Sequence, residues 1–448
     1  MIQSLQKAVP EKTITLQEAR ELQTDTLGFI MKTTEELGDI IKLKVGFWDI
    51  YFLNHPEYIK HIFQDNWKNY GRDTFQFNHF ARVTGKGLLT AHGDYWQKHR
   101  KLAQPGFHKN KLNCMASQMG IAIDRMHGRW DMLLKGKQQT IIDIDAEMLR
   151  LGLEIVGSAL FSLDFSQDSA KLSQEILGMM QYVVYRSQNL LALPTWIPTP
   201  RNLKFRRTLK KVDGIIYNLI DERVKSGQSK NDLLDLFLDG RDENNQPIPK
   251  QAIRDEIITM IIAGYETVAS GMSWMWDVLT RHPEVESKID SELQNWDGES
   301  STDVLRKLPY TSAAIDEVFR LYPPSWLVTR RSLKDDVLGE YSIPQHSIVV
   351  VCPYAIHRHP TFWLDHDEYR PERHLSDYAN KISYAYIPFG GGPHLCIGRP
   401  FARLEAGLVL AKTVKRYRLK PTTDHPTELN PQVTLRPKNG LKLTLSPK

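Results

Sequence analysis

Three cysteines, Cys114, Cys352 and Cys396, are all that 448 residues carry. An odd number with no framework spacing excludes a secreted disulfide scaffold and argues for a reducing compartment. No apolar run is long enough to span a bilayer: the most apolar, residues 257–264, falls far short of the roughly 18 residues required. The first ten residues carry neither the apolar core of a signal peptide nor an anchor pattern, so a soluble, cytoplasmic protein is expected. Ser/Gly-rich runs, low-complexity tracts and internal repeats are also missing, so one domain over residues 1–448 is expected despite the length. There is no Gly-x-Gly-x-x-Gly dinucleotide site, no flavin fingerprint and no four-cysteine cluster. The 41% hydrophobic and 25% charged residues are those of a globular chain with a sizeable core. The net charge of +5 is too small to imply nucleic acid.

Periodicity organises what is present. Residues 16–37 read as one amphipathic helix, followed by strands at 40–45 and 51–54 joined by a turn through Gly46. Pro56 opens another helix. From Asp94 to about Gln294 nearly everything has helical periodicity, broken at Pro105-Gly106, at residues 194–200 and in the polar stretch 240–249. Thr199-Pro200 forms an N-cap and first-turn pair. Past Pro323-Pro324 come short β-branched segments such as 347–351, ending in 441–445. The fold class expected is therefore mainly α with a minor β region. Residues of about 94–322 form the helix-rich part, and 1–93 and 323–448 supply the small sheets.

Between Pro249 and Pro283 runs an uninterrupted helical pattern, about 30 residues and roughly 45 Å long at 1.5 Å per residue. Its apolar middle marks it as buried. Set into that middle is Ala263-Gly264-Tyr265-Glu266-Thr267. A glycine inside a helix costs about 1 kcal/mol, so close approach by something flat or bulky is expected there. Thr267 has two readings: it bonds back to the carbonyl four residues earlier, or, with the Glu266 carboxyl behind it, it holds water and delivers protons.

The stretch Phe389-Gly390-Gly391-Gly392-Pro393-His394-Leu395-Cys396-Ile397-Gly398 offers one cysteine on a glycine-rich loop before a predicted helix. Chance would produce such a pattern about once in a few thousand chains of this composition. Glycines let the backbone turn its N–H groups toward the sulfur, and a helix N-terminus beyond Gly398 favours a thiolate. Pro400 suits a first helical turn. A thiolate here is suited to be the protein ligand of a haem iron. A zinc ligand finds no second Cys or His at the spacing it needs; a buried structural cysteine is the remaining alternative.

With these residues the chain resembles the haem-thiolate monooxygenases, the cytochrome P-450 family, over most of its length. The resemblance implies a single-domain fold with haem b, iron protoporphyrin IX, between the long central helix and the Cys-ligand loop. It implies that Cys396 is the proximal ligand, Phe389 the aromatic beside it, and Ala263-Gly264-x-Glu266-Thr267 the oxygen-activation motif. Glu317 and Arg320 match the Glu-x-x-Arg motif and Pro371-Glu372-Arg373 a later one, which implies a buried network of Glu317, Arg320 and Arg373. Trp96 and Arg100 match Trp-x-x-x-Arg, four apart on one helical face and able to donate to a haem propionate; His92, Arg330 and His394 fall where further propionate donors are usual. His394 stands where arginine is commoner, and Glu266 where many bacterial members have aspartate. The family's placement puts a substrate pocket along residues 75–89, 262–267 and 325–328, with Phe75, Phe77, Phe80, Trp326 and Leu327 making it apolar; Arg72 and Arg82 are read as solvated at the surface, with carboxylate anchoring as the alternative.

The reaction so implied is insertion of one O2-derived oxygen atom into an apolar organic molecule such as a fatty acid, terpenoid or steroid. Thiolate ligation favours O–O cleavage. Having no electron store of its own, the chain needs a separate ferredoxin or flavodoxin and reductase; Lys98, Lys101, Lys109 and Lys111 are read from charge alone as able to steer it, with a solvated face as the alternative. The rival readings are a peroxide-driven peroxygenase and a haem-thiolate sensor without catalysis. The protein, reduced under carbon monoxide, is expected to show a strongly red-displaced Soret band that Cys396→Ala abolishes; an intact band in that variant would remove the sulfur from the iron.

Overall fold

The structure is a computed structural model describing residues 7–46, 48–165, 169–188, 193–375 and 383–448. The chain divides into two compact units, one made of Met1–Asn78 with Phe319–Cys396 and one of His79–Val318 with Ile397–Lys448.

The first unit is built on a mixed six-stranded sheet. In spatial order its strands are Glu11–Thr13, Ile40–Val45, Trp48–Leu53, Ile348–Val351, Val328–Ser332 and Tyr70–Gly71. Ile348–Val351 is buried at all four positions, as a central strand covered on both faces must be. It runs parallel to Trp48–Leu53 with Tyr51 opposite Val349, and antiparallel to Val328–Ser332 with Arg330 opposite Val349. Leu53, Ile59, Ile343, Val349 and Ile356 fill the core beneath it. The 16–37 segment is two helices, Leu16–Thr24 and Thr26–Leu37. Asp25, at φ −140°, leaves the helical region and its carboxylate accepts from the Gly28 N–H at 3.0 Å, so a cap interrupts a continuous apolar pattern. The following strand begins at Trp48, three residues before the alternation suggests.

The second unit is helical. Its central helix spans Lys250–Arg281, 32 residues, and is buried on almost every face. The helix Ile144–Phe161 packs along it through two glycines: a Cβ on Gly152 would lie 2.9 Å from the Tyr265 carbonyl oxygen, and one on Gly264 would lie 2.8 Å from Val156. The bulky neighbour expected at Gly264 is thus a second helix. The breaks at Pro105-Gly106 and at residues 194–200 appear as read, and Thr199 caps Pro200–Ser226 by accepting from the Asn202 N–H at 3.1 Å.

One strand inside the helix-rich stretch escaped the sequence reading. Thr140–Asp143 pairs with the C-terminal strand Lys442–Pro447, which also pairs with Tyr417–Pro421. The signal was there: three β-branched residues between Gly136, which takes φ +73°, and Asp143, whose carboxylate caps the next helix. A second small hairpin joins Leu429–Pro431 to Leu435–Pro437. Among the described residues no helix is long and apolar enough to cross a membrane.

Gly152→Val should overpack the contact between the two helices and cost about 1–3 kcal/mol, read as a lower thermal midpoint; an unchanged midpoint would show that the helices do not need the close approach.

Candidate active site

The cysteine loop belongs to the first unit. Gly392 takes φ +61°, and a Cβ there would overlap the Phe63 carbonyl; one on Gly391 would overlap the Tyr384 ring. The turn closes with the Leu395 N–H donating to Gly392 and the Cys396 N–H to Phe389, both at 3.0 Å. Cys396 ends up exposed, which sets aside the buried structural cysteine. Cys352, by contrast, is buried, and burial pushes its thiol up to about 12. The Phe389 ring meets Phe319 edge-on, centroids 5.7 Å apart.

Behind the loop lies a clamp of buried cations on main-chain carbonyls. Arg320, fully buried, donates to the carbonyls of His357 (2.8 Å), His366 (2.6 Å) and Glu368 (3.0 Å), with Trp363 under its guanidinium. Arg373 donates to Asp365 at 2.7 Å and to Leu364. Sequence reasoning missed the link between this clamp and the loop: His357. Its Nδ1 donates to the Arg320 carbonyl at 2.9 Å, and its Nε2 accepts from the Ile387 N–H at 2.8 Å. That pattern requires neutral imidazole, and burial pushes its pKa down to about 3. A lone histidine gives no sequence signal for such a role. Glu317, in the second unit, is also fully buried.

Two further cations stand in the first unit. Arg72, read as a surface residue, is buried, and its Nη2 donates to His394 Nδ1 at 2.9 Å. A guanidinium only donates, so His394 accepts there as neutral imidazole, with Trp67 edge-on to its ring. Arg330 is buried between the rings of Phe63 and Phe77, donates to the Thr329 carbonyl at 2.8 Å, and is pushed down to about 10 by burial. None of the described carboxylates pairs with it. Phe77 is thus a stacking face for Arg72 and Arg330. Gln76 bonds the Leu327 carbonyl and the Thr329 N–H, both at 3.2 Å, fixing that strand's start.

In the second unit, Trp96 is buried and Arg100 half-buried on the helix Gly93–Ala103, with His92 exposed at its N-cap. The segment before it is laced to the central helix by three consecutive charged residues. Arg254 donates to the Val83 carbonyl at 2.8 Å, Asp255 accepts from the Lys86 N–H at 2.9 Å, and Glu256 accepts from the Leu88 N–H at 3.0 Å and from His99 at 2.8 Å. These anchors were legible only as an odd charged triplet in an apolar helix. Arg82 is exposed, as expected.

Farther along, Ala263 is exposed and Gly264 and Thr267 partly so, one open stripe between buried neighbours. The Thr267 hydroxyl donates back to the Ala263 carbonyl at 2.6 Å, the local bond that was one of its two readings. Glu266 is buried on another face. One carboxyl oxygen accepts from the Thr434 hydroxyl at 3.0 Å, and the other has no partner among the described residues. Burial raises its pKa; Arg436 and Thr434 act against that and Asp145 with it. Gly398 lies at the N-cap of Arg399–Arg416, its carbonyl accepting from Ala402 at 2.8 Å, and Pro400 stands in the first turn.

Gly392→Ala should strain the loop and displace the Phe63 segment, at about 1–3 kcal/mol; an unfolding midpoint equal to wild type would show the loop does not need glycine there.

Residues 9–445 match the family model described as Cytochrome P450. A pentalenene oxygenase of Streptomyces avermitilis is 28% identical over 91% of this chain and 92% of its own length. A cyclooctatin synthase of Streptomyces melanosporofaciens is 30% identical over 92% and 87%, and a human ultra-long-chain fatty acid omega-hydroxylase 31% identical over 88% and 79%. With a match that runs nearly from end to end, a mostly helical fold with small sheets and relatives named as oxygenases, the chain belongs to the cytochrome P450 family, whose members carry haem, and is a monooxygenase.

Proposed function

We propose that this monooxygenase binds haem b through Cys396 and oxygenates an apolar terpenoid or fatty acid. The observation that carries the cofactor reading is Arg330, a guanidinium buried between two rings with no described carboxylate to answer it. A buried cation without a counter-charge costs several kcal/mol, and a haem propionate is the anion that suits it. His394 belongs to the same reading: its Nδ1 accepts from Arg72, which leaves the ring proton on Nε2. Trp96, Arg100 and His92 are the further propionate donors of this reading. In this reading Phe389, Gly398 and Ala263 are haem-binding residues, and Glu317, Arg320 and Arg373 are the structural network behind the thiolate.

Haem, when bound, supplies dioxygen activation: one atom enters the substrate and the other leaves as water, consuming two electrons and two protons. The chain's own task is delivery of those protons. Thr267, on the open stripe of the central helix, holds water there once its hydroxyl turns from the Ala263 carbonyl, and Glu266, kept toward its acid form by burial, supplies the proton. Trp326 and Leu327 are the apolar side chains that this reading gives the substrate.

Terpenoids and fatty acids are favoured because relatives named for such substrates match over most of this chain. The electrons come from a separate ferredoxin or flavodoxin and its reductase. Of the four lysines, Lys98 pairs with Glu243 and Lys111 donates to Asn231, so the steering charge rests on exposed Lys101 and on Lys109, 3.9 Å from Asp303. A cytoplasmic monomer fits this reading.

The test is titration of the holoenzyme with a panel of terpenes and fatty acids, followed by turnover with a ferredoxin and reductase. A shift to high spin and an oxygenated product that requires the electron chain are expected. Turnover with peroxide alone would make it a peroxygenase, and ligand binding with no product from either oxidant would leave a sensor.

A further inference from the structure

The central helix and the hairpin strand Leu435–Pro437 are tied together at one carbonyl. Leu435 C=O accepts from the Ser270 hydroxyl at 2.6 Å and from the Trp274 indole N–H at 2.8 Å. With that carbonyl fixed, the residues on either side of it reach ionisable groups of the central helix and of the adjoining helix Ile144–Phe161. Thr434 places its hydroxyl 3.0 Å from Glu266 Oε1, and Arg436 pairs with Asp145, which also accepts from Ser273 at 2.9 Å. Every member is buried. Glu266 Oε2 and Arg436 Nη1 are each buried without a partner among the described residues. The groups facing the Glu266 carboxyl are Arg436 from the hairpin, Asp145 from the adjoining helix and the Tyr265 phenol beside it.

We propose that Thr434 is a positioning residue for Glu266: its hydroxyl turns the carboxyl toward the hairpin and, with the Arg436–Asp145 pair, sets the charge state in which it waits to give up a proton. This rests on Glu266 being the proton donor. Three observations carry it. The bond is the one polar contact that the described residues give the carboxyl. It comes from a strand whose place is fixed by two other bonds to the same helix. And Glu266 and Thr267, one residue apart, point some 100° from each other around a helix, so the carboxyl must leave Thr434 to serve the open stripe. The hydroxyl stabilises the ionised carboxyl over the neutral one, as a donor to a carboxylate does; without it the proton is held to higher pH.

The test is infrared titration of the holoenzyme, following the carbonyl stretch of a protonated carboxyl. Wild type should show a band that Glu266→Gln removes. In Thr434→Val the band should move to higher frequency, and its titration midpoint should rise by about one pH unit. Thr434→Ser should restore both. A Thr434→Val band and midpoint equal to wild type would overturn the assignment of Thr434, as would Thr434→Ser titrating away from wild type should the valine variant not fold. Product formed per electron pair, with the panel compound giving the largest spin shift, separates the two readings. If Glu266→Gln leaves that ratio unchanged, Glu266 is not the donor, whatever the band does.

Discussion

A helix buried along nearly its whole length cannot leave its charged and hydroxyl groups unanswered, and Lys250–Arg281 carries many of them. Arg254, Asp255 and Glu256 are met by main-chain groups of residues 83–88 and by His99. Ser270 and Trp274 are met by the Leu435 carbonyl, Ser273 by Asp145, and Asp277 by Thr427. Burial of a polar group is tolerable only with a hydrogen bond, so each of these side chains dictates where another segment lies. The segment leading into the Trp96 helix and the C-terminal hairpin take their places from the central helix for that reason.

The first unit solves a different problem by similar means. Its cysteine loop is too rich in glycine to hold its own shape, since glycine has the most conformational entropy to lose. Rigidity comes from outside the loop: Phe319 against Phe389, and His357 relaying from the Arg320 carbonyl to the Ile387 N–H. Arg320 and Arg373 spend their donors on carbonyls of residues 357–368. Guanidinium suits this task because its fork addresses several oxygens at once. A loop held in this way keeps Cys396 exposed without leaving it loose.

One cation of this unit, Arg330, is buried with no described carboxylate beside it. Arg72 and Arg330 both lie buried against the Phe77 ring, Arg72 donating to His394 and Arg330 to the Thr329 carbonyl. A buried guanidinium favours an acidic neighbour, and the neutral histidine at 394 carries one formal charge fewer than an arginine would.

The sequence by itself determined the family, the long central helix, its capped neighbours and the Cys396 loop, because motif spacing, apolar periodicity and glycine–proline punctuation are local properties of a chain. It determined neither the break at Asp25 nor the strand Thr140–Asp143, where a single cap or a distant partner outweighs a helical pattern. It named Glu266 but not the Thr434 hydroxyl that holds it, Arg330 but not its isolation, and it missed His357 and the Glu256 anchor altogether. These were decided by tertiary structure alone, since a buried polar group's partner is whichever segment the fold brings within hydrogen-bonding reach, and that segment can lie 168 residues away, as Thr434 does from Glu266.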